Sequence, residues 1–290
     1  MNKQDMRTGD QATPRGTDDT CAVRRHFSIQ SAQWSTRYSG TPRSMADLDL
    51  AMRRECVHRL LWPLLNAAEQ SLRVLDVGCG TGDVLDGLPR DLMRVTGVDF
   101  VPEMVAVARR THPSDRFLAA DAAALPFTDE CADVVTSLGM LEYLPDPTAA
   151  LAAVFRVLRP GGAFIVSFPN RGSIFRKLLS LERMLDTWVH RLRASSNNPA
   201  VNALRSSRYP HRRFSKTEVR QLMTSNGFEI DAMLLHTVGP WGRLGRFRPM
   251  LRASRFASHV LRNNRTLSPW LAGTIVVRAK KTCGRQLGRR

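Results

Sequence analysis

The hydrophobic and polar positions of the chain change rhythm near residue 73. From there to residue 170, short apolar runs of strand character alternate with stretches whose apolar positions recur at helical spacing. The strand-like runs are "RVLDV" (73–77), "RVTGVD" (94–99), "RFLAAD" (116–121), "ADVVTSLG" (132–139) and "GAFIVSFP" (162–169). Between them, "TGDVLDGL" (81–88), "PEMVAVARRTH" (102–112) and "DPTAALAAVFRVL" (146–158) read as helices. A strand–helix–strand rhythm of this kind implies an α/β fold, a mostly parallel sheet covered on both faces. Pro160-Gly161-Gly162 is a stop followed by a tight turn.

The flanks extend the picture. Ahead of the core, 44–65 carries Leu48, Met52, Cys56, Leu60 and Leu64 at four-residue spacing, which predicts a helix laid against the sheet. Before it, Phe27, Trp34 and Tyr38 recur at roughly helical intervals, while about the first 25 residues are polar enough to predict a disordered tail with no secretory signal. After the core, 173–193 reads as an amphipathic helix with a basic polar face, and 194–211 as a loop. Residues 215–227 predict a helix with Ser215 as N-cap, Glu218 closing a capping box and Gly227 at the C-terminal end. "FEIDAMLLHTVG" and "GTIVVRAK" read as two closing strands, separated by the acid-free segment 240–270.

Composition changes this picture in two places. The five cysteines (Cys21, Cys56, Cys79, Cys131, Cys283) are scattered, with no CxxC, which argues against a disulfide framework or a zinc site and suits a reducing cytoplasm. The net charge of +17 is uneven: residues 1–170 carry a net −3 and residues 171–290 a net +20, with no Asp or Glu from Val238 onward. No apolar run approaches the roughly 18 residues of a membrane span. The basic part is therefore expected either to line a lid for an apolar or anionic substrate or to rest on an anionic membrane surface. RNA is the third partner the charge allows, but no RNA-binding module accompanies it, so nucleic acid is disfavoured.

The candidate chemistry sits at "VLDVGCGTG" (74–82). A glycine-rich turn after a first strand lets a ligand approach the backbone. The spacing is GxGxG, and an acid, Asp76, precedes it on the strand, where it would repel a pyrophosphate and suit an ammonium group. Asp99 ends the second strand, the place of a carboxylate that takes ribose hydroxyls, and Asp121 ends the third, where it can accept from an adenine amino group. Three such acids describe a ligand with an amine, a ribose and an adenine but no phosphate: S-adenosylmethionine.

The stretch 73–169 resembles the class I S-adenosylmethionine-dependent methyltransferases, especially the small-molecule group of ubiquinone- and menaquinone-biosynthesis type. "VLDVGCGTG", "GVDFVPEMVAVAR", "AADAAALPF", "VVTSLGMLEYLPDP" and "LRPGGAFIVSFPN" are similar to that family's motifs in order, and "RRFSKTEVRQLMTSNGFEI" to its later helix. The resemblance implies a Rossmann-like, seven-stranded, mostly parallel sheet with helical lid insertions. It implies an N-terminal cofactor-covering part (26–72), a cofactor-binding core (73–170), a helical lid (171–213), a C-terminal part (214–282) with a basic insertion (240–270), and a basic tail (283–290). It implies that Gly78, Cys79 and Gly80 lie under the methionine portion, with Asp76 near its amino group. Asp99 would bind the ribose, and Phe100 and Met104 follow it on the adenine side. Asp121 and Ala122 would flank the adenine edge, Leu138 would lie beside the sulfonium, and Tyr38 would cover the cofactor.

The expected reaction is methyl transfer to a small-molecule acceptor that is apolar and lipid-, quinone- or natural-product-like. Oxygen is the expected atom and carbon the alternative. RNA methylation and cofactor binding without catalysis are the competing readings. Where many relatives have His in the turn after the fourth strand, this chain has Tyr143. Candidate bases are therefore His211, His236, Glu142 and Tyr143. No metal-ligand cluster is visible in the sequence, so metal-independent transfer in the cytoplasm is expected.

Overall fold

The computed structural model describes residues 15–178, 184, 211–240, 245, 247–261, 264 and 266–282. Most of the lid expected over 171–213, the loop within it, and the tail 283–290 lie outside these residues.

Seven strands form one sheet: β1 (Leu72–Val77), β2 (Met93–Asp99), β3 (Arg116–Ala119), β4 (Ala132–Ser137), β5 (Leu158–Pro169), β6 (Phe228–Val238) and β7 (Ala272–Lys281). Their order is β3-β2-β1-β4-β5-β7-β6. Pairing is parallel from β3 through β5, whereas β7 runs antiparallel to both β5 and β6. β1 and β4 are neighbours, with Asp76 opposite Thr136 in the register. The strand order reverses there, and a crevice opens beyond the carboxyl ends of such strands.

The helices are α1 (Arg15–Trp34), α2 (Thr36–Ser39), α3 (Met45–Ala67), α4 (Pro102–Thr111), α5 (Thr148–Val157), α6 (Lys216–Ser225), α7 (Arg248–Leu261) and α8 (Ser268–Leu271). α3 starts at the expected residue because the Ser44 side chain accepts from the Asp47 N–H. α6 closes both halves of its capping box: the Ser215 hydroxyl accepts from Glu218 N (3.2 Å) and the Glu218 carboxylate from Ser215 N (2.7 Å). One sheet face is buried under α5 and α6 by Leu151, Val154, Val219, Met223, Phe164 and Phe228. Among the described residues no helix is long and apolar enough to cross a membrane.

Three expectations shift. Residues 81–88 form only a single 3₁₀ turn, Asp83–Leu85. Gly87 (φ +83°) and Pro89 interrupt the stretch, and α3 covers that face instead, packing Cys56, Val57, Leu61 and Leu65 among Val84, Leu85 and Leu88. The second shift is at the N-terminus: where disorder is expected to residue 25, helix begins at Arg15. Third, β3 ends at Ala119, so Asp121 sits two residues past the strand rather than at its end.

Candidate active site

The crevice is a cavity of about 430 Å³ bounded by the glycine turn, the ends of β2 and β4, α1, α3 and the segment around Arg176 and His211. Gly78, Gly80 and Gly82 all have positive φ (+76°, +55° and +87°), a conformation open to glycine without strain. A Cβ on Gly78 would lie 2.7 Å from Met140, so the turn also needs glycine for space. The turn is tied to β2 by Gly78 N and Cys79 N, which both donate to Val98 O (2.8 and 3.0 Å).

Asp99 lines the cavity and holds this geometry. Its carboxylate accepts from Gly80 N and from Val101 N, each at 2.8 Å. Burial raises its pKa against those two hydrogen bonds. Phe100, Met104, Asp121 and Ala122 continue the same wall, and Asp121 also accepts from Ala123 N (2.9 Å). Tyr38, Cys79, Gly80 and Leu138 line it too. Burial pushes the Cys79 thiol and the Tyr38 hydroxyl well above their usual ranges, so both stay protonated.

Asp76 is placed differently from the expectation. It is buried and does not line the cavity. Its carboxyl turns to β4, where Thr136 Oγ1 donates to it at 2.6 Å. Burial, with Asp99 adding, pushes its pKa up to about 6. No basic side chain among the described residues pairs with Asp76 or Asp99. The glycine-turn end is therefore electronegative, and it favours a cationic ligand over a phosphate.

The four candidate bases separate. Tyr143 and His211 line the cavity and meet edge to face, with ring centroids 5.4 Å apart; Phe27 packs on the other side of Tyr143 at 5.2 Å. His211 is exposed to solvent although its ring lines the cavity. Desolvation, then the charges of Arg176, Arg53 and Arg213, lower its pKa below the usual imidazole range and keep it neutral at pH 7. Glu142 and His236 lie off the cavity, which corrects their candidacy. Glu142 is buried beside Arg53 (3.8 Å), and burial raises its pKa although Arg53 opposes the rise. His236 is fully buried in β6, its Nδ1 within 2.6 Å of Thr237 Oγ1 and 3.7 Å of Asp49.

The residues missed in the sequence are those of the lid and the far wall. Thr20, Val23, Phe27 and Trp34 of α1 line the cavity, and Trp34 Nε1 comes within 3.6 Å of where a Gly80 Cβ would stand. Ser35 clamps this lid to the turn by donating to Asp83 (3.2 Å). The guanidinium of Arg24 lies 5.7 Å from the Phe100 ring centre. On the far wall, Arg53 pairs with Asp49 (2.8 Å) and passes so close to Gly139 (φ +70°) that a Cβ there would lie 2.2 Å from Nη1. Burial would raise Asp49, but Arg53, His236 and Arg176 outweigh it and hold its pKa well below the carboxylate range. Arg176 donates to Gly273 O (2.7 Å), and burial lowers its pKa to about 10. The i,i+4 pair Asp49/Arg53, just behind the apolar stripe Leu48/Met52, was the available signal.

A parallel sheet in this order with a reversed β7, a left-handed glycine turn, and a carboxylate at the end of β2 define the class I S-adenosylmethionine-dependent methyltransferase fold. Residues 75–166 match the family model described as a methyltransferase domain. Its similarity to curated proteins is of the same kind. A ubiquinone biosynthesis O-methyltransferase of Xanthomonas oryzae pv. oryzae is 41% identical over 105 residues, covering 34% of this chain and 44% of that protein. A malonyl-[acyl-carrier protein] O-methyltransferase of Pectobacterium atrosepticum is 35% identical over 123 residues, covering 42% and 48%. The chain spans about half the length of these curated relatives.

Among solved structures, magnesium protoporphyrin IX methyltransferase from Synechocystis PCC 6803, with bound SAH, superposes with a TM-score of 0.58 at 16% identity, covering 91% of this chain and 100% of that one. Burkholderia thailandensis 1,6-didemethyltoxoflavin-N1-methyltransferase does so at 0.55 and 18%, covering 94% and 93%. At these identities they show the fold alone. The residues present fit S-adenosylmethionine: glycine backbone lines the cavity, and Asp76 and Asp99 beside it have no cationic partner among the described residues.

Proposed function

We propose that this protein transfers a methyl group from S-adenosylmethionine to an oxygen of a small-molecule acceptor that is apolar and lipid-, quinone- or natural-product-like. The observation that carries this reading is one cavity lined both by the glycine turn with Asp99, which has no ion-pair partner among the described residues, and by a neutral imidazole, His211. Asp121, Arg176 and the Asp49/Arg53 pair line the same cavity, and Asp76 is buried behind the turn.

When bound, S-adenosylmethionine supplies a methyl carbon activated by a sulfonium. The protein's own contribution is position and dryness. Gly78, Cys79 and Gly80 would seat the methionine portion, Asp99 the ribose, and Phe100, Met104, Asp121 and Ala122 the adenine, under the cover of Tyr38 and Trp34. Leu138 and Phe27 keep water from the space between the two ends. His211, neutral and oriented by the Tyr143 ring, takes the proton of an acceptor hydroxyl. Arg176 favours an acceptor whose oxygen is flanked by a carboxylate or another electron-rich group. Peripheral contact with an anionic membrane in the cytoplasm would deliver such an acceptor.

Incubation of the full chain with methyl-labelled cofactor and fractionated extract tests this. The expected result is label in a small, organic-soluble product whose mass rises by one methyl. Cofactor binding without transfer to any fraction would make the chain a binding protein, and nuclease-sensitive label would move the acceptor to RNA.

A further inference from the structure

We infer that the outward face of α7 is the surface that docks this protein on an anionic lipid bilayer. The inference deepens the proposed delivery of an apolar acceptor and rests on that reading for its purpose, though the surface stands on its own geometry. α7 has two faces of different character. Leu251, Ser254 and Ser258 are buried, with Leu251 packed among Met45, Leu48 and Met52 of α3. The Ser258 hydroxyl donates to Ser254 O (2.6 Å) and accepts from Val238 N (2.8 Å), which fixes the helix on the end of β6. Docked this way, α7 cannot rotate to hide its other side.

That other side is apolar where a soluble helix would be polar. Phe256 is 73% exposed and Val260 61%, and at a spacing of four they stack on one stripe. Phe247, just before the helix, is 62% exposed. Arg248 and Arg252 continue the same four-residue row toward the start of the helix and have no ion-pair partner among the described residues, whereas Arg255 is engaged by Glu55 of α3 (2.9 Å). The corner that follows carries further apolar surface. Trp270 in α8 is 57% exposed, and this corner is stitched to residues 170–173 by Asn170 Nδ2 donating to Pro269 O (2.9 Å) and Ser173 Oγ to Leu271 O (3.3 Å). Ile174 and Leu178, exposed, extend from the same joint.

Exposed large aromatic side chains beside uncompensated arginines fit an interface of acyl chains and anionic headgroups. The complete absence of Asp and Glu after Val238 removes the charges such a surface would repel. The position also serves the cavity. α3 turns Met45, Leu48 and Met52 to α7 and Ala46, Asp49, Leu50 and Arg53 to the cavity, so one helix separates the docking face from the acceptor end.

The test is flotation of the full chain with vesicles of phosphatidylcholine containing about a third phosphatidylglycerol, and with phosphatidylcholine alone, at low and high salt. The wild type is expected to float with the anionic vesicles at low salt, and not with neutral ones or at high salt. R248E/R252E is expected to lower binding at least tenfold, since each basic residue near such a surface contributes about fivefold, and F256S/V260S to lower it severalfold. Both pairs are exposed, so unchanged thermal unfolding confirms the variants are folded. Absence of flotation by the wild type, or flotation by folded variants equal to wild type, overturns the inference. Loss of a concentration-dependent dimer in F256S/V260S, without flotation of the wild type, reassigns the face to a second copy and overturns it as well. Flotation with no methyl transfer to any extract fraction leaves the docking surface standing and removes the proposed reaction.

Discussion

The replacement Asp76→Asn isolates the carboxyl buried behind the glycine turn. In the folded protein the Asp76 carboxyl has a pKa of about 6, against an ordinary 3.8, because it is buried beside Asp99 with only Thr136 as hydrogen-bond donor. The folded state thus keeps its proton longer than the unfolded state. Stability is lost as pH rises through the window from 3.8 to about 6, and the cost is constant above it. Two pKa units correspond to about 3 kcal/mol. Asn fills the same volume, accepts the Thr136 hydrogen bond and never ionises.

Its amide introduces a buried donor that costs about 1–2 kcal/mol, but at every pH alike. The readable quantity is therefore the difference between variant and wild type as a function of pH. From linkage, the gain of D76N is about 1 kcal/mol at pH 4.5 and about 3 kcal/mol at pH 8, before that constant offset. Urea unfolding at pH 4.5, 6 and 8 without cofactor measures it from midpoint and slope. A variant whose stability tracks the wild type in parallel across this range would refute the argument, because it would mean Asp76 is ionised without penalty. If the penalty is retained for a cationic ligand, saturating S-adenosylmethionine should stabilise the wild type more than D76N at pH 8.

Asp99→Ala should weaken S-adenosylmethionine by about fivefold or more, the loss of a charge-assisted hydrogen bond, measured by calorimetry; unchanged affinity would remove the ribose assignment. His211→Gln should lower kcat about a hundredfold with cofactor affinity unchanged, and because the wild-type imidazole is already neutral, the wild-type rate should not fall on the acid side until well below pH 6.5. Gly139→Ala should destabilise the protein by at least about 1–2 kcal/mol from the left-handed backbone alone, and more because Arg53 must leave its place beside Glu142; a thermal midpoint equal to wild type would contradict the close approach. Arg176→Leu should raise KM for a carboxylate-bearing acceptor while leaving cofactor affinity intact.

Much of this site is written locally and could be read in advance. The glycine turn, Asp99 and the Ser215/Glu218 box are each decided by a few neighbouring residues, since a tight turn, a strand end and a helix cap are short-range events. The strands were legible because sheet burial on both faces makes each a nearly continuous apolar run, as in the fully buried β4. The lid was not. Among the described side chains before residue 26, Thr20 and Val23 line the cavity, too few to write a periodic stripe, so α1 is held by docking on the crevice rather than by its own pattern. Residues 81–88 erred the other way: a helical pattern lost to Gly87 and Pro89 and to the competing cover of α3.

The far wall was illegible for a different reason, and that reason bears on function. The basic excess of the chain belongs to residues 171–290, yet the cavity's arginines come from both halves, Arg53 from α3 and Arg176 from beyond β5. They converge because Gly139 gives Arg53 passage and Gly273 O anchors Arg176. Buried arginines are costly to place. Here Arg53 is matched by Asp49, and Asp49 is in turn held by Thr274 Oγ1 at 2.7 Å. The arrangement fixes an ion-paired Arg53 together with Arg176 on a cavity whose glycine turn is lined by Asp99, which has no ion-pair partner among the described residues. Fixed polar groups of different kinds favour one orientation of a cation and an electron-rich acceptor over its reverse. A pocket lined by apolar walls alone would seat both ligands without deciding which end each occupies.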